Sequence, residues 1–276
     1  MVVGVVAHAV APPDDVPQHG AVGGVVRVVA REAVADDEEG GLHPALVEHV
    51  EEPRGVAALR AVVEGGQVQA DLDGVKFTLK KVDRQSPTLG AKPPQGALVL
   101  FDGTHVDAWD KGKLVEGNLL AVGTRTKQKF KDYTLHLEFR TPYMPHARGQ
   151  GRGNSGLYLN DQYEFQILDS FGLSGENNEC GGYYSFAKPK LNMCLPPLTW
   201  QTYDVDFTMA RYDANKNKLK PATATIRLNG VIVHDKYEIP KFNGGGGQSD
   251  ESLPGAIYVQ DHGNPVHFRN IWIVER

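Results

Sequence analysis

Residues 133–140, YTLHLEFR, carry an apolar side chain at every second position: Tyr133, Leu135, Leu137 and Phe139 on one face, His136, Glu138 and Arg140 on the other. A period of two is what a strand buried on one side requires. Short runs of the same kind recur at 97–103, 113–123, 202–213, 222–239 and 255–276, each bounded by Gly, Pro, Asn or Asp. Gly117-Asn118 and Asn229-Gly230 sit where two-residue hairpin turns belong. About ten strands spaced by turns, with almost no helical period, predict an all-β chain built as an antiparallel β-sandwich or jelly roll.

The 276 residues carry a net charge of −5, which provides no basic surface for nucleic acid. No run of about 18 apolar residues is present, so no membrane span is expected. The first 70 residues differ in texture. They lack Phe, Tyr, Trp, Ile, Lys, Asn, Ser, Thr and Cys, and the first aromatic ring belongs to Phe77. Such a segment has no anchors for a core of its own, and its composition matches GC-rich codons read in any frame. It is expected to be a poorly ordered or artefactual extension, with a small helical appendage over 43–66 as the competing reading. His8, His19, His43 and His49 are too irregularly spaced to read as a metal site. The expected boundaries are 1–70 for the extension, 71–94 for a strand and Pro/Gly connector, and 95–276 for the folded domain.

Within that domain, RGNSGLYLNDQYEFQILDS (152–170) reads as two strands joined by a polar turn. Glu164 and Gln166 share one strand face, while Tyr163, Phe165 and Ile167 take the other. Asp169 falls on the parity of the apolar set unless a bulge intervenes. Beyond it lies a long irregular segment, 171–198, bracketing Cys180 and Cys194. Loops of that length in compact domains are commonly functional, and the two cysteines either stay free or staple it. The tetrad Gly244–Gly247 has no Lys-Ser/Thr after it and so does not read as a phosphate loop.

The strings LFDG, YTLHLEFR, NSGLYL, YEFQILDS, LNGVIV and VQDHGNPVHFRNIWI occur in this order between about residues 95 and 276. Together they resemble the 3-keto-disaccharide hydrolase domain family. The resemblance implies a concanavalin-like jelly roll whose concave sheet face binds carbohydrate, a periplasmic or secreted setting, and an oligosaccharide or glycoside substrate. It implies cleavage of glycosides oxidised to a ketone at C3. A C3 ketone acidifies the C2 hydrogen, a base removes it, and the enolate expels the C1 substituent.

That chemistry calls for a base, a proton donor and groups that hold hydroxyls. Glu164 is the first candidate base, against an exposed strand carboxylate. His262, two residues past Gln260, is the second catalytic candidate, against a turn-shaping histidine. Glu179, in the long loop, is the third. Asn154, Gln166, Arg140, Gln260, Arg269 and Asp169 are candidate substrate contacts, against turn formation, solvated ion pairs and, for Asp169, capping. Tyr183, Tyr184, Phe186 and Trp200 are candidate stacking rings, with Trp200 read as packing under the sandwich. No cofactor is demanded. A divalent metal held by Glu164, Glu179, His262 or Asp169 would polarise the ketone, although nothing in the spacing requires one.

Overall fold

The computed structural model describes residues 84–276 without a break and, ahead of them, five strands. These are β1 (Gly4–Ala9), β2 (Val26–Arg31), β3 (Leu59–Glu64), β4 (Gln67–Leu72) and β5 (Val75–Lys80). The chain divides into two compact units, Met1–Arg84 and Gln85–Arg276. In the first, β1 pairs with β2, and β3, β4 and β5 form an antiparallel meander. The helical alternative is corrected where it can be seen. Residues 59–64 are strand, in keeping with adjacent β-branched Val62 and Val63. The remainder of 43–58, and His19, His43 and His49, lie outside the described residues.

The second unit contributes β6 (Leu98–Phe101), β7 (Trp109–Asp110), β8 (Leu114–Val115), β9 (Leu119–Ala121), β10 (Thr124–Thr126), β11 (Tyr133–Arg140), β12 (Ser155–Leu159) and β13 (Tyr163–Ile167). It continues with β14 (Gln201–Thr208), β15 (Arg211–Tyr212), β16 (Lys218–Lys220), β17 (Thr223–Leu228), β18 (Val231–Glu238), β19 (Tyr258–Val259) and β20 (His267–Glu275). Two antiparallel sheets make the sandwich. One has the order β13-β12-β19-β10-β7, the other β18-β17-β14-β11-β20-β9-β8 with β6 also against β20. The segment between β19 and β20 therefore crosses from one sheet to the other. The expected all-β sandwich is the architecture found.

Period-two patterning decides which faces meet. Tyr133, Leu135, Leu137 and Phe139 of β11 and Tyr203, Val205 and Phe207 of β14 are fully buried. They face Leu157, Leu159, Tyr163, Phe165 and Ile167 of the other sheet in one core. Tyr163 packs on Phe207 at 5.7 Å between ring centroids. Each such ring removed from water contributes roughly 1.5–3 kcal/mol. The Asn229-Gly230 turn has φ of 52° and 79°, the left-handed pair that two-residue hairpins favour.

The outer face of the larger sheet is also covered. Residues 85–91 run across it: Gly90 N–H donates to Glu138 Oε1 at 2.6 Å, and Thr88 Oγ1 donates to Asp204 Oδ2 at 2.6 Å. Beneath this strap His136 stacks on Trp272, 5.1 Å between centroids, with Nδ1 2.6 Å from Asp204 Oδ1. Arg269 Nε donates to Glu138 Oε2 at 2.7 Å. Cys180 and Cys194 are free thiols, both buried.

Candidate active site

One rank of side chains crosses the whole five-stranded sheet. Tyr158 pairs with Glu164, Tyr158 with Tyr258, Tyr258 with Arg125, and Arg125 with Asp110. Directly paired residues in antiparallel strands point to the same side. The rank therefore lies on the face turned away from the core. Sequence parity places Glu164 and Gln166 on that face, as expected, but the face is not open: every residue of β13 is buried.

What covers it is the glycine tetrad. A side chain on Gly245 would collide with the Tyr158 hydroxyl, one on Gly246 with the Asp161 carbonyl, and one on Gly247 with the Asp161 carboxylate. Only glycine lets backbone approach this closely. Asn243 anchors the start of this loop, accepting Glu164 N–H at 2.7 Å and donating Nδ2 to Tyr184 O at 2.6 Å.

Glu164, 4% exposed, accepts the Tyr158 hydroxyl on Oε2 at 2.7 Å. Burial raises its carboxyl to about 7, with the Tyr158 hydrogen bond pulling the other way. The same burial, reinforced by Glu164, holds the Tyr158 phenol protonated well above its ordinary range. Tyr158 in turn accepts Gln260 Nε2 at 3.2 Å. Opposite Gln166 stands Gly156, where an added Cβ would lie 2.6 Å from Glu164 Oε1 and 3.0 Å from Gln260 Oε1. The absent side chain is what admits these two oxygens. Gln260 Oε1 and Asn154 Oδ1 are buried acceptors with no hydrogen-bond partner among the described residues. The arrangement can exchange a proton near neutrality and accept hydrogen bonds from hydroxyl groups.

Other expected residues lie elsewhere. Gln166 is on the right face, but its Nε2 donates to Gln150 Oε1 at 2.7 Å and its Oε1 accepts the Ile167 N–H at 3.1 Å. Glu179 is turned back on its own loop, where Oε2 accepts the N–H groups of Gly175 and Glu176. Asp169 follows its parity with no bulge in the β12–β13 register. It is buried and its carboxylate pairs with Arg152 Nε at 3.3 Å, apart from Glu164's face. Arg140 and Arg269 belong to the opposite sheet and its outer face, with guanidinium carbons 5.0 and 4.0 Å from the Trp200 ring centre. Trp200 is accordingly half-buried between arginines rather than under the sandwich. Of the other candidate rings, Tyr183 belongs to the core. His262 is exposed on the turn after Gln260, with no hydrogen bond among the described residues. Its neighbour Asn264 accepts Asn154 N–H at 2.8 Å, which ties this turn to the start of β12. Glu164, Glu179, His262 and Asp169 do not converge, and no cluster of three metal-ligating side chains is found among the described residues.

Tyr158, Gly156 and Asn243 were missed by sequence reasoning. A signal for two of them existed. Folding NSGLYL onto YEFQIL across the turn at 160–162 sets Tyr158 against Glu164 and Gly156 against Gln166. Nothing local announces Asn243.

The fold and the site define a β-sandwich protein with a buried carboxyl and unpartnered amide oxygens on one sheet face. Residues 96–274 match the 3-keto-alpha-glucoside-1,2-lyase-like domain, and the chain belongs to that family. Among solved structures, it is similar to a candidate glycosyl hydrolase of Parabacteroides distasonis, at 31% identity and a TM-score of 0.60 over 66% of this chain and 85% of that one. A second candidate glycosyl hydrolase of the same organism is 17% identical with a TM-score of 0.47, over 66% of this chain and 94% of that one. No curated protein matches the chain. Family membership gives the chain a carbohydrate-active, hydrolase-like role.

Proposed function

We propose that the protein cleaves glycosides carrying a ketone at C3, with Glu164 as the base. Glu164 removes the C2 proton. The electron pair passes into a C2–C3 enolate, then re-forms the C3 carbonyl as the C1–O bond breaks, leaving a C1–C2 double bond. Water adding across that bond makes the net outcome hydrolysis. The observation that carries this reading is the Glu164 carboxyl enclosed beneath the glycine loop, held through Oε2 by Tyr158 with Oε1 turned to Gly156. Its burial raises it to about 7, and a base is most effective when its pKa lies near the working pH. Tyr158 holds Oε2, which fixes the carboxyl plane and leaves Oε1 at the gap above Gly156. Gln260 and Asn154 offer their unpartnered oxygens to substrate hydroxyls. The departing oxygen takes its proton from solvent water, since His262 stands on the exposed turn beyond Gln260 and does not converge with Glu164.

An ordinary retaining glycosidase needs two carboxyl groups about 5–5.5 Å apart. Glu179 and Asp169 are committed elsewhere, which argues against that chemistry. A binding module alone would not need a buried carboxyl raised to neutrality. The test is incubation with matched native and 3-keto disaccharides. Wild type is expected to cleave only the keto form, and Glu164→Gln to lose roughly 10²–10⁴-fold in rate. Cleavage of the native sugar, or an undiminished Glu164→Gln rate, overturns the assignment.

A further inference from the structure

Residues 168–200, between β13 and β14, contribute no named strand, and both cysteines of the chain lie among them. The segment is nonetheless tied to the sheet that bears Glu164. Gly181 N–H donates to Gln166 O at 3.0 Å, Gln166 N–H to Gly182 O at 2.9 Å, and Tyr184 N–H to Glu164 O at 3.0 Å. β13 is the terminal strand of its sheet. Residues 181–184 therefore cover an edge whose backbone groups would otherwise stand unpaired.

The two thiols meet where this cover is held down. Cys180 N–H donates to Ser170 Oγ at 2.9 Å, Asn192 Nδ2 to Ser170 O at 2.8 Å, and Cys194 N–H to Asn192 Oδ1 at 3.0 Å. Three bonds thus carry both backbones on one support, Ser170. The side chains converge as well. The thiols hydrogen-bond each other, and Cys194 Sγ lies 3.5 Å from Leu168 O. Cys180 Sγ lies 3.9 Å from the Tyr203 hydroxyl, which donates to Gln166 O at 2.6 Å. We propose that Cys180 and Cys194 are an oxidation site, closing a disulfide that fixes residues 181–184 on the edge of β13.

A buried thiol with no second thiol beside it is inert. Two in contact need only lose their hydrogens to be joined. The oxidant is a low-molecular-weight disulfide. The thiolate of one cysteine attacks it, forming a mixed disulfide and releasing one thiol. The second thiolate attacks the protein-bound sulfur and releases the other. Two protein S–H bonds are lost and one S–S bond forms. Two electrons pass to the oxidant, whose halves leave as thiols carrying the two protons. Both cysteines are buried, so the exchange runs as the chain folds or while the segment is lifted from β13. The bond closes a loop from Cys180 to Cys194, which restricts the unfolded chain and stabilises the folded one.

The test refolds the full chain in a mixture of oxidised and reduced glutathione. No thiol is then expected to titrate in denaturant, and the mass is expected to fall by two hydrogens. Tm is expected to exceed that of the dithiothreitol-treated protein by about 6–12 °C. The Gly181 and Tyr184 amides, which bond to β13, are expected to exchange more slowly in the oxidised protein. Two titratable thiols, glutathione retained on one cysteine, or a disulfide between two chains overturns the site. Oxidation that leaves Tm and both amides unchanged overturns the role given to the bond. Cys194→Ala is expected to lose the oxidant-dependent Tm shift, and a shift of the same size in that variant counts against the pair. If the variant fails to fold, the wild-type thiol count and mass decide alone.

Discussion

Glu164 is held in a state that an exposed carboxyl does not share, and the consequences run in opposite directions for activity and stability. Its folded pKa lies near 7 against an ordinary 4.5. As a base it works when deprotonated, so kcat/KM is expected to rise with pH through about 7 and level off above. For stability, the fold prefers the neutral carboxyl. That contribution is complete below pH 4.5 and disappears as pH rises through 7. Moving the carboxyl from 4.5 to about 7 corresponds to about 3 kcal/mol. Glu164→Gln retains an acceptor for Tyr158 and never ionises. At pH 8 it is expected to be more stable than wild type by an amount approaching that figure, while inactive. Denaturant unfolding at pH 5 and pH 8 checks this; a variant equally destabilised at both would show that packing, not ionisation, dominates. Gly156 belongs to the same account, since its missing Cβ leaves room for Oε1.

At the scale of elements, the strap over the larger sheet rests on a charged cluster whose strength depends on pH. Burial opposes the His136 charge, but Asp204 and Glu138 outweigh it and raise the imidazole. Burial likewise pushes Glu138 up, yet His136, Asn270, Arg269 and the Gly90 amide together bring it down to about 2. The raised histidine stabilises fully below its ordinary 6.5 and loses that effect as pH climbs through its folded value. The lowered carboxyl stabilises fully above its ordinary 4.5 and loses it as pH falls towards 2. Both act together between about pH 4.5 and 6.5. Protection of the Gly90 amide, which donates to Glu138, from hydrogen exchange, taken relative to the intrinsic rate at each pH, is expected to be greatest in that window. His136→Gln should flatten the alkaline side alone, and an unaltered alkaline limb would count against His136 as its source. The hairpin β12–β13 shows the complementary case, where turn residues and register together carry the chemistry: Asn160 and Asp161 close it, and Tyr158 meets Glu164 across it.

For the molecule as a whole, the core that joins the two sheets is drawn from residues between Leu100 and Ile273. Gln85–Arg276 expressed alone is therefore expected to fold, with the same near-UV circular dichroism and a Tm within a few degrees of the full chain. A molten spectrum from that fragment would refute it. Fold class was legible because alternation of apolar and polar residues reports burial on one face wherever it occurs: β11 has the bounds that its pattern predicts. The parity of Glu164, Gln166 and Asp169 was legible for the same reason.

Sheet membership was not. Arg140 and Arg269 read as well as Gln260 for a substrate contact, since alternation says only which way a side chain points from its own strand. Whether two polar faces meet or lie on opposite sides of a sandwich depends on strand order, which is set by long-range pairing. Nor does a local pattern say that Gly245–Gly247 will lie across Tyr158, or that this burial will move a carboxyl from 4.5 to about 7. The sequence by itself determined the sandwich, its inward faces and the strand that bears Glu164. Tertiary structure alone decided that Glu164 is covered, partnered by Tyr158 and joined by one rank to Arg125, because desolvation and cross-strand register are properties of neighbours distant in the chain.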